Sequence, residues 1–207
     1  MKFYLSSHKI GGKAKALKRM FSANPRVGYV PNALDYTKVD LERRAKHIKS
    51  DIENLEELGL AVELLDLKDY FGKRKGLENK LSELGGIWVT GGNVFILRQA
   101  MRLSGLDVLL KRLADKKDFV YAGYSAGGGV LSPDLHVYEM VDDATDMPYR
   151  GQKKVIWKGL GLIDYAFMPH YKSDHPETEN IGKEVDYCKK HKLPYRALSD
   201  GEVIIIE

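Results

Sequence analysis

The sequence contains a single cysteine, Cys188. That excludes an internal disulfide and leads us to expect a reducing, cytoplasmic setting. No apolar run approaches the roughly 20 residues that a membrane-crossing helix needs. Met1-Lys-Phe-Tyr-Leu5 passes directly into polar residues, so no signal peptide is expected either. A strong charge of one sign is also missing. The net charge is +4, with Lys and Arg scattered among Asp and Glu, which argues against a dedicated nucleic-acid surface. No group of His, Cys and Asp has the spacing of a ligand set, so neither a metal nor an organic cofactor is expected. No repeat, low-complexity tract or linker divides the chain, and residues 1–207 read as one domain.

The residues that are present, 43% hydrophobic and 30% charged, suit a globular chain with a sizeable core. Short apolar runs at 1–6, 26–30, 61–65 and 86–90 read as strands. Between them, 11–21, 38–58 and 77–84 carry apolar residues at threes and fours, which predicts helices, and Gly59 closes the long one. Further helices are expected near 94–101 and 106–116, and another over 177–191. Alternation of this kind predicts an α/β fold: a doubly wound, mostly parallel sheet with helices on both faces. Residues 136–141, 154–157 and 161–168 also look strand-like. Residues 195–198 and 202–206 read as a C-terminal β-hairpin about Ser199-Asp200-Gly201.

The chemistry is concentrated in Phe119-Val-Tyr-Ala-Gly123-Tyr-Ser125-Ala-Gly127. An apolar strand runs into Gly-x-Ser-x-Gly, the pattern of a nucleophile elbow. At such a turn the serine is strained, its neighbours two before and two after must be small, and the next N–H, that of Ala126, points where an oxyanion would form. Thr90-Gly91-Gly92-Asn93 is a second glycine-rich strand-to-helix junction. It lacks the Lys-Ser/Thr of a phosphate-binding loop, but Gly92 N–H could converge with Ala126 N–H on one oxyanion.

A serine needs a histidine to take its proton and an acid to orient that histidine. Of six histidines, His47 and His191 sit in lysine-rich helical contexts and are expected to face solvent, while His136 opens a strand-like run and reads as structural. His8 lies in the first loop. His170, just past a strand and Pro169, is the leading candidate, with His175 next in the same loop. Asp146 and Asp200 are the two placements for the acid, with Glu202 behind them.

Taken in order, Gly91-Gly92-Asn93, Gly123-Tyr-Ser-Ala-Gly127, Asp146-Met-Pro148 and Pro169-His170 resemble peptidase E, the aspartyl dipeptidases of the S51 serine peptidases. The resemblance implies a fold like that of class I glutamine amidotransferases. It further implies a Ser125-His170-acid triad, an oxyanion hole from Gly92 and Ala126, and a short peptide as substrate. The family's acid is usually a glutamate before a late glycine. Here that position is Asp200, one methylene shorter, with Asp146 matching another family aspartate. The family also places an arginine after the catalytic histidine to hold the substrate's aspartate. This chain has none there, so Lys172 or Arg150 would have to substitute, with Asn93 as a further substrate-binding residue. The function expected is hydrolysis of short peptides by a monomer or homodimer that uses neither nucleic acid nor membrane. The alternatives are another serine hydrolase on this scaffold, an esterase or a cyanophycinase-like enzyme, or a binding protein without catalysis.

Overall fold

A computed structural model describes all 207 residues, Met1–Glu207. Strand β1 (Lys2–Ser6) leads through α1 (Ala14–Met20) to β2 (Arg26–Val30), and α2 (Leu41–Glu57) leads to β3 (Ala61–Leu64). Helix α3 (Arg74–Ser82) precedes β4 (Gly86–Val89). Helices α4 (Val94–Ser104) and α5 (Leu106–Leu113) then precede β5 (Val120–Tyr124). The order across the main sheet is β3-β2-β4-β5-β1, all parallel.

Alternation along these strands explains the two faces. Val120 and Ala122 of β5, with Trp88 of β4, pack into a cluster containing Leu17 and Met20 of α1 and Leu55 of α2. Tyr121, Ile87 and Val89 point the other way, into a larger cluster with α3, α4 and α5. A strand whose side chains are buried alternately above and below reads as a continuous apolar run, which is how these strands appear in the sequence. Helix α2 begins at Leu41 rather than Lys38 because Asp40 caps it, its carboxylate accepting from Arg43 N–H at 3.0 Å.

After β5 a single turn of helix, α6 (Ala126–Gly129), opens an irregular stretch that differs from expectation. Residues 136–141 form no strand: Asp134 accepts from His136 N–H at 2.9 Å and starts a 3₁₀ turn over His136–Tyr138. Residues 154–157 form no strand either, and only an isolated bridge joins Asp134 to Lys158. Of 161–168 only β6 (Ala166–Met168) is extended. Helix α7 (Thr178–Lys190) follows as expected.

The C-terminal hairpin is also corrected. The turn exists, with Glu202 N–H bonded to Ser199 O at 3.0 Å, but its arms part. Strand β7 (Tyr195–Ala197) pairs parallel with β6 in a separate two-stranded sheet, and β8 (Val203–Ile206) pairs antiparallel with β1 at the edge of the main sheet. Each arm satisfies its backbone on an edge that would otherwise be open, which a hairpin pairing only with itself would leave unmatched. The Ser199–Gly201 turn is thereby held between the carboxyl ends of β1 and β6. No helix is long and apolar enough to cross a membrane.

Candidate active site

The elbow forms where β5 meets α6. Ser125 has φ 47° and ψ −116°, a region that costs a residue with a Cβ about 1–3 kcal/mol. Its backbone is fixed on both sides: its N–H donates to Ser6 O at 3.3 Å, and its carbonyl accepts from Gly128 and Gly129 N–H, both at 2.9 Å. The flanking glycines have a steric cause. A Cβ at Gly127 would lie 2.4 Å from Val89 O, and one at Gly123 would lie 2.7 Å from the same atom. Only glycine lets this turn sit against β4. Gly92, at φ 132°, is pressed against Ala33 O in the same way, at 2.4 Å from a notional Cβ. Gly92, Ser125 and Ala126 border one small pocket, which Asp142, Pro169 and Glu177 also line.

His170 follows β6 and is buried, 2% exposed, with φ 56°. Its Nδ1 lies 2.7 Å from Asp200 Oδ1. Ser7, just past β1, ties the pair together: its hydroxyl donates to Asp200 Oδ1 at 2.8 Å and accepts from His170 N–H at 2.8 Å. Tyr171 N–H donates to Leu198 O at 3.0 Å, locking the histidine loop onto the Asp200 turn. The ends of β1, β6 and β7 therefore converge on one His-Asp pair. Burial pushes His170 down to about 4, with nearby His175 adding to the shift and Asp200 opposing it. Partial burial works to raise Asp200, but the bonds from Ser7 and His170 hold it below the ordinary carboxylate value. Burial raises Glu177.

Ser125, His170, Gly91 and Gly92 open on a cleft of about 430 Å³ whose far wall includes Tyr36, Lys38, Arg43 and Arg44. Arg44 is paired with Asp35 at 2.6 Å, whereas Lys38 and Arg43 are exposed at the rim. His8 and His175 also face the cleft. The His175 ring stacks on that of His170 at 3.7 Å between centroids.

The sequence-derived residues fall into two groups. Ser125, His170, Gly92 and Ala126 come together, and Asp200 joins them. Asp146 does not: its carboxylate accepts from the N–H and hydroxyl of Thr37, away from His170. Glu202 accepts from Ser199 N–H at 2.7 Å and serves the turn. Asn93 caps α4, accepting from Phe95 and Ile96 N–H at 2.8 and 3.0 Å, and its amide donates to Asp143 O. These bonds make Asn93 the cap of α4, and it is not among the residues lining the cleft. Lys172 and Arg150 are exposed and line no part of the cleft; the Lys172 ammonium lies over the Tyr171 ring at 5.3 Å. The cations facing the cleft are instead Lys38, Arg43 and Arg44, on the loop after β2 and the first turn of α2. Their positions look in sequence like any solvated helix start, and only the crossover from β2 brings them over the elbow. Ser7 was equally invisible, because its partners lie more than 160 residues away.

His47 is not solvent-facing as expected. It is partly buried, and its Nε2 lies 2.6 Å from Tyr124 OH. Tyr124 in turn donates to Asp51 Oδ2 at 2.9 Å, so this network braces the residue preceding Ser125 from the other face of the sheet.

The chain resembles known proteins throughout its length. The profile of peptidase family S51 matches residues 7–207. An uncharacterized peptidase of Listeria monocytogenes is 30% identical over 187 residues, covering 87% of this chain and 81% of that one. Peptidase E of Streptomyces coelicolor is 26% identical over 133 residues, 62% of this chain and 51% of that one. The fold superposes, with a TM-score of 0.73 and 24% identity, on a crystal structure from Listeria monocytogenes described as a candidate peptidase E, covering 100% of this chain and 98% of that one. With nearly the whole chain matched and a serine at the elbow, the protein belongs to peptidase family S51 and is a serine-type peptidase.

Proposed function

We propose that this protein hydrolyses short peptides, dipeptides with an N-terminal aspartate foremost, through Ser125, His170 and Asp200. The observation that carries the reading is the His170–Asp200 pair, 2.7 Å apart, in the cleft that also exposes Ser125. Asp200 accepts the Nδ1 proton and so leaves Nε2 as the basic nitrogen. Ser125 Oγ attacks the peptide carbonyl and its proton passes to His170 Nε2. The N–H groups of Gly92 and Ala126 stabilise the oxyanion. The protonated histidine then gives its proton to the leaving amine, and water, activated by the same nitrogen, releases the acyl group from Ser125.

The charge distribution around the cleft supports a substrate short enough to have both termini recognised. Glu177 beside Ser125 suits a free α-ammonium group, and Lys38 and Arg43 at the rim suit carboxylates. Asp142 is held up at about 8 by burial, and its Oδ2 accepts from Val94 N–H at 2.7 Å. We take the whole chain as one domain acting in the cytoplasm, as a monomer or homodimer, on short peptides and not on nucleic acid or membrane.

The test is a panel of Asp-Leu, Glu-Leu, Asn-Leu and Ala-Leu with wild type and Ser125→Ala. Selective cleavage of Asp-Leu that vanishes with Ser125→Ala is the expected result. Cleavage of the other dipeptides with equal efficiency would remove the aspartate preference and leave the triad. Absence of any cleavage, together with failure of a fluorophosphonate probe to label Ser125, would remove the hydrolase reading itself.

A further inference from the structure

Three histidines from two remote parts of the chain meet at the cleft. The imidazole nitrogens of His8, at the end of β1, and of His170 and His175, after β6, all lie within 4.8 Å of one another. The His8 ring meets both others at a tilt, 5.7 Å from His170 and 5.8 Å from His175 between centroids. From these contacts we propose that His8, His170 and His175 form a binding site for a divalent transition metal, zinc above all, and that metal bound there blocks the catalytic histidine.

Three features of the donor set favour this assignment. Imidazole suits zinc, copper and nickel, whereas magnesium and calcium call for oxygen, and the three groups that converge are all imidazoles. Second, the right nitrogens can be presented. His170 Nδ1 is bonded to the Asp200 carboxylate, so that ring offers Nε2. The long 3.3 Å contact in which His175 Nδ1 accepts from Glu177 N–H must be given up, and the ring proton moved to Nδ1, for His175 to offer Nε2 as well. Third, a carboxylate on the far nitrogen of a metal-binding imidazole is the usual support for such a ligand, and Asp200 already provides it.

The fit needs side-chain rotation. Zinc–nitrogen bonds of about 2.0–2.1 Å place neighbouring donors about 3.3 Å apart in a tetrahedron. His8 and His175 are each partly exposed; His175 must leave its stack on His170 and its contact with Glu177 N–H to turn a nitrogen inward, while the buried His170 stays fixed. Three protein ligands leave the fourth position for water or a substrate group.

The consequence for chemistry is inhibition rather than catalysis. The lone pair that coordinates zinc is the Nε2 pair that must take the Ser125 proton, so the two uses exclude each other. Metal release restores the base. That half of the inference rests on the catalytic reading above, whereas the binding site itself does not.

Calorimetric titration of the metal-free protein with zinc, at neutral pH, tests the site without reference to activity. One zinc per chain is expected, with binding at least about tenfold weaker in His8→Ala and in His175→Ala. Because truncation could disturb the loop, His8→Gln and His175→Gln are titrated beside them, with circular dichroism reporting the fold. Cobalt supplies an independent readout, its visible absorption bands appearing in wild type and fading in the folded variants. No stoichiometric zinc binding in wild type, or equal binding in the folded His8→Gln and His175→Gln proteins, would overturn the site. In parallel, hydrolysis of a cleaved dipeptide should fall as zinc saturates the site and return with a chelator. Zinc that binds through these histidines yet leaves hydrolysis intact would overturn the inhibitory half. Zinc bound by a protein that cleaves no peptide would sink the hydrolase reading and leave the site standing.

Discussion

His170 Nδ1 and Asp200 Oδ1 are 2.7 Å apart, although the two residues belong to different turns and are joined by a serine at the start of the chain. The shorter acid reaches the histidine because its turn is anchored on both sides: β7 draws one end to β6, and β8 draws the other to β1. Asp200→Asn keeps the shape of this contact but presents an amide where a carboxylate is needed. It should lower kcat by about 10⁴-fold with an unchanged circular dichroism spectrum. A variant within tenfold of wild type would show that another group orients His170.

The depth of His170 sets a pH dependence. Burial holds its pKa down at about 4, so the base is neutral well below the ordinary histidine range. The acid limb of kcat/KM, which reports the free enzyme, should therefore fall near pH 4 rather than near 6.5. Stability has the same sign. Between the folded and unfolded values the unfolded chain binds the extra proton, so stability rises with pH through that interval. Urea unfolding at pH 5 and 7, in wild type and His170→Gln, reads this directly, and the variant should show the smaller difference. An acid limb at 6.5 would contradict the buried, neutral imidazole.

The parallel sheet and the elbow were legible because each depends on local pattern. A strand buried on both faces is an unbroken apolar run, and a strand-to-helix turn crowded against Val89 O admits only glycine two residues either side of Ser125. Strand-like runs after the elbow misled for the same local reason. The Asp134 side chain diverts 136–138 into a 3₁₀ turn, and the last two strands each find a distant edge instead of each other. The position before the late glycine favours Asp200 as the acid, with Asp146 behind it. The contacts that bring Asp200 to His170, however, run through Ser7 and depend on which sheet each C-terminal strand joins, none of which spacing reveals. Lys38 and Arg43 escaped notice because nothing near them in sequence marks an exposed helix start as the wall of a cleft.

Asp146 offers a contrast with Asp200. It holds Thr37, on the loop that carries Lys38 to the cleft. Asp146→Ala should disturb that loop, raising KM more than it lowers kcat, with a loss of about 1 kcal/mol in stability for the missing hydrogen bonds. A fall in kcat matching that of Asp200→Asn, with KM unchanged, would return Asp146 to the reacting centre.

The rim cations bear on selectivity. Lys38 and Arg43 are exposed, so their attraction for a carboxylate is screened and each is worth about 1 kcal/mol or less. Replacing both with alanine should reduce kcat/KM for Asp-Leu by about tenfold while changing Ala-Leu much less, and the difference should shrink at high salt. An equal loss on both substrates would mean that these residues hold the peptide's terminal carboxylate, common to both, rather than the aspartate side chain. No loss on either would place the recognising cation elsewhere, with Arg44 next in line once its pairing to Asp35 is broken.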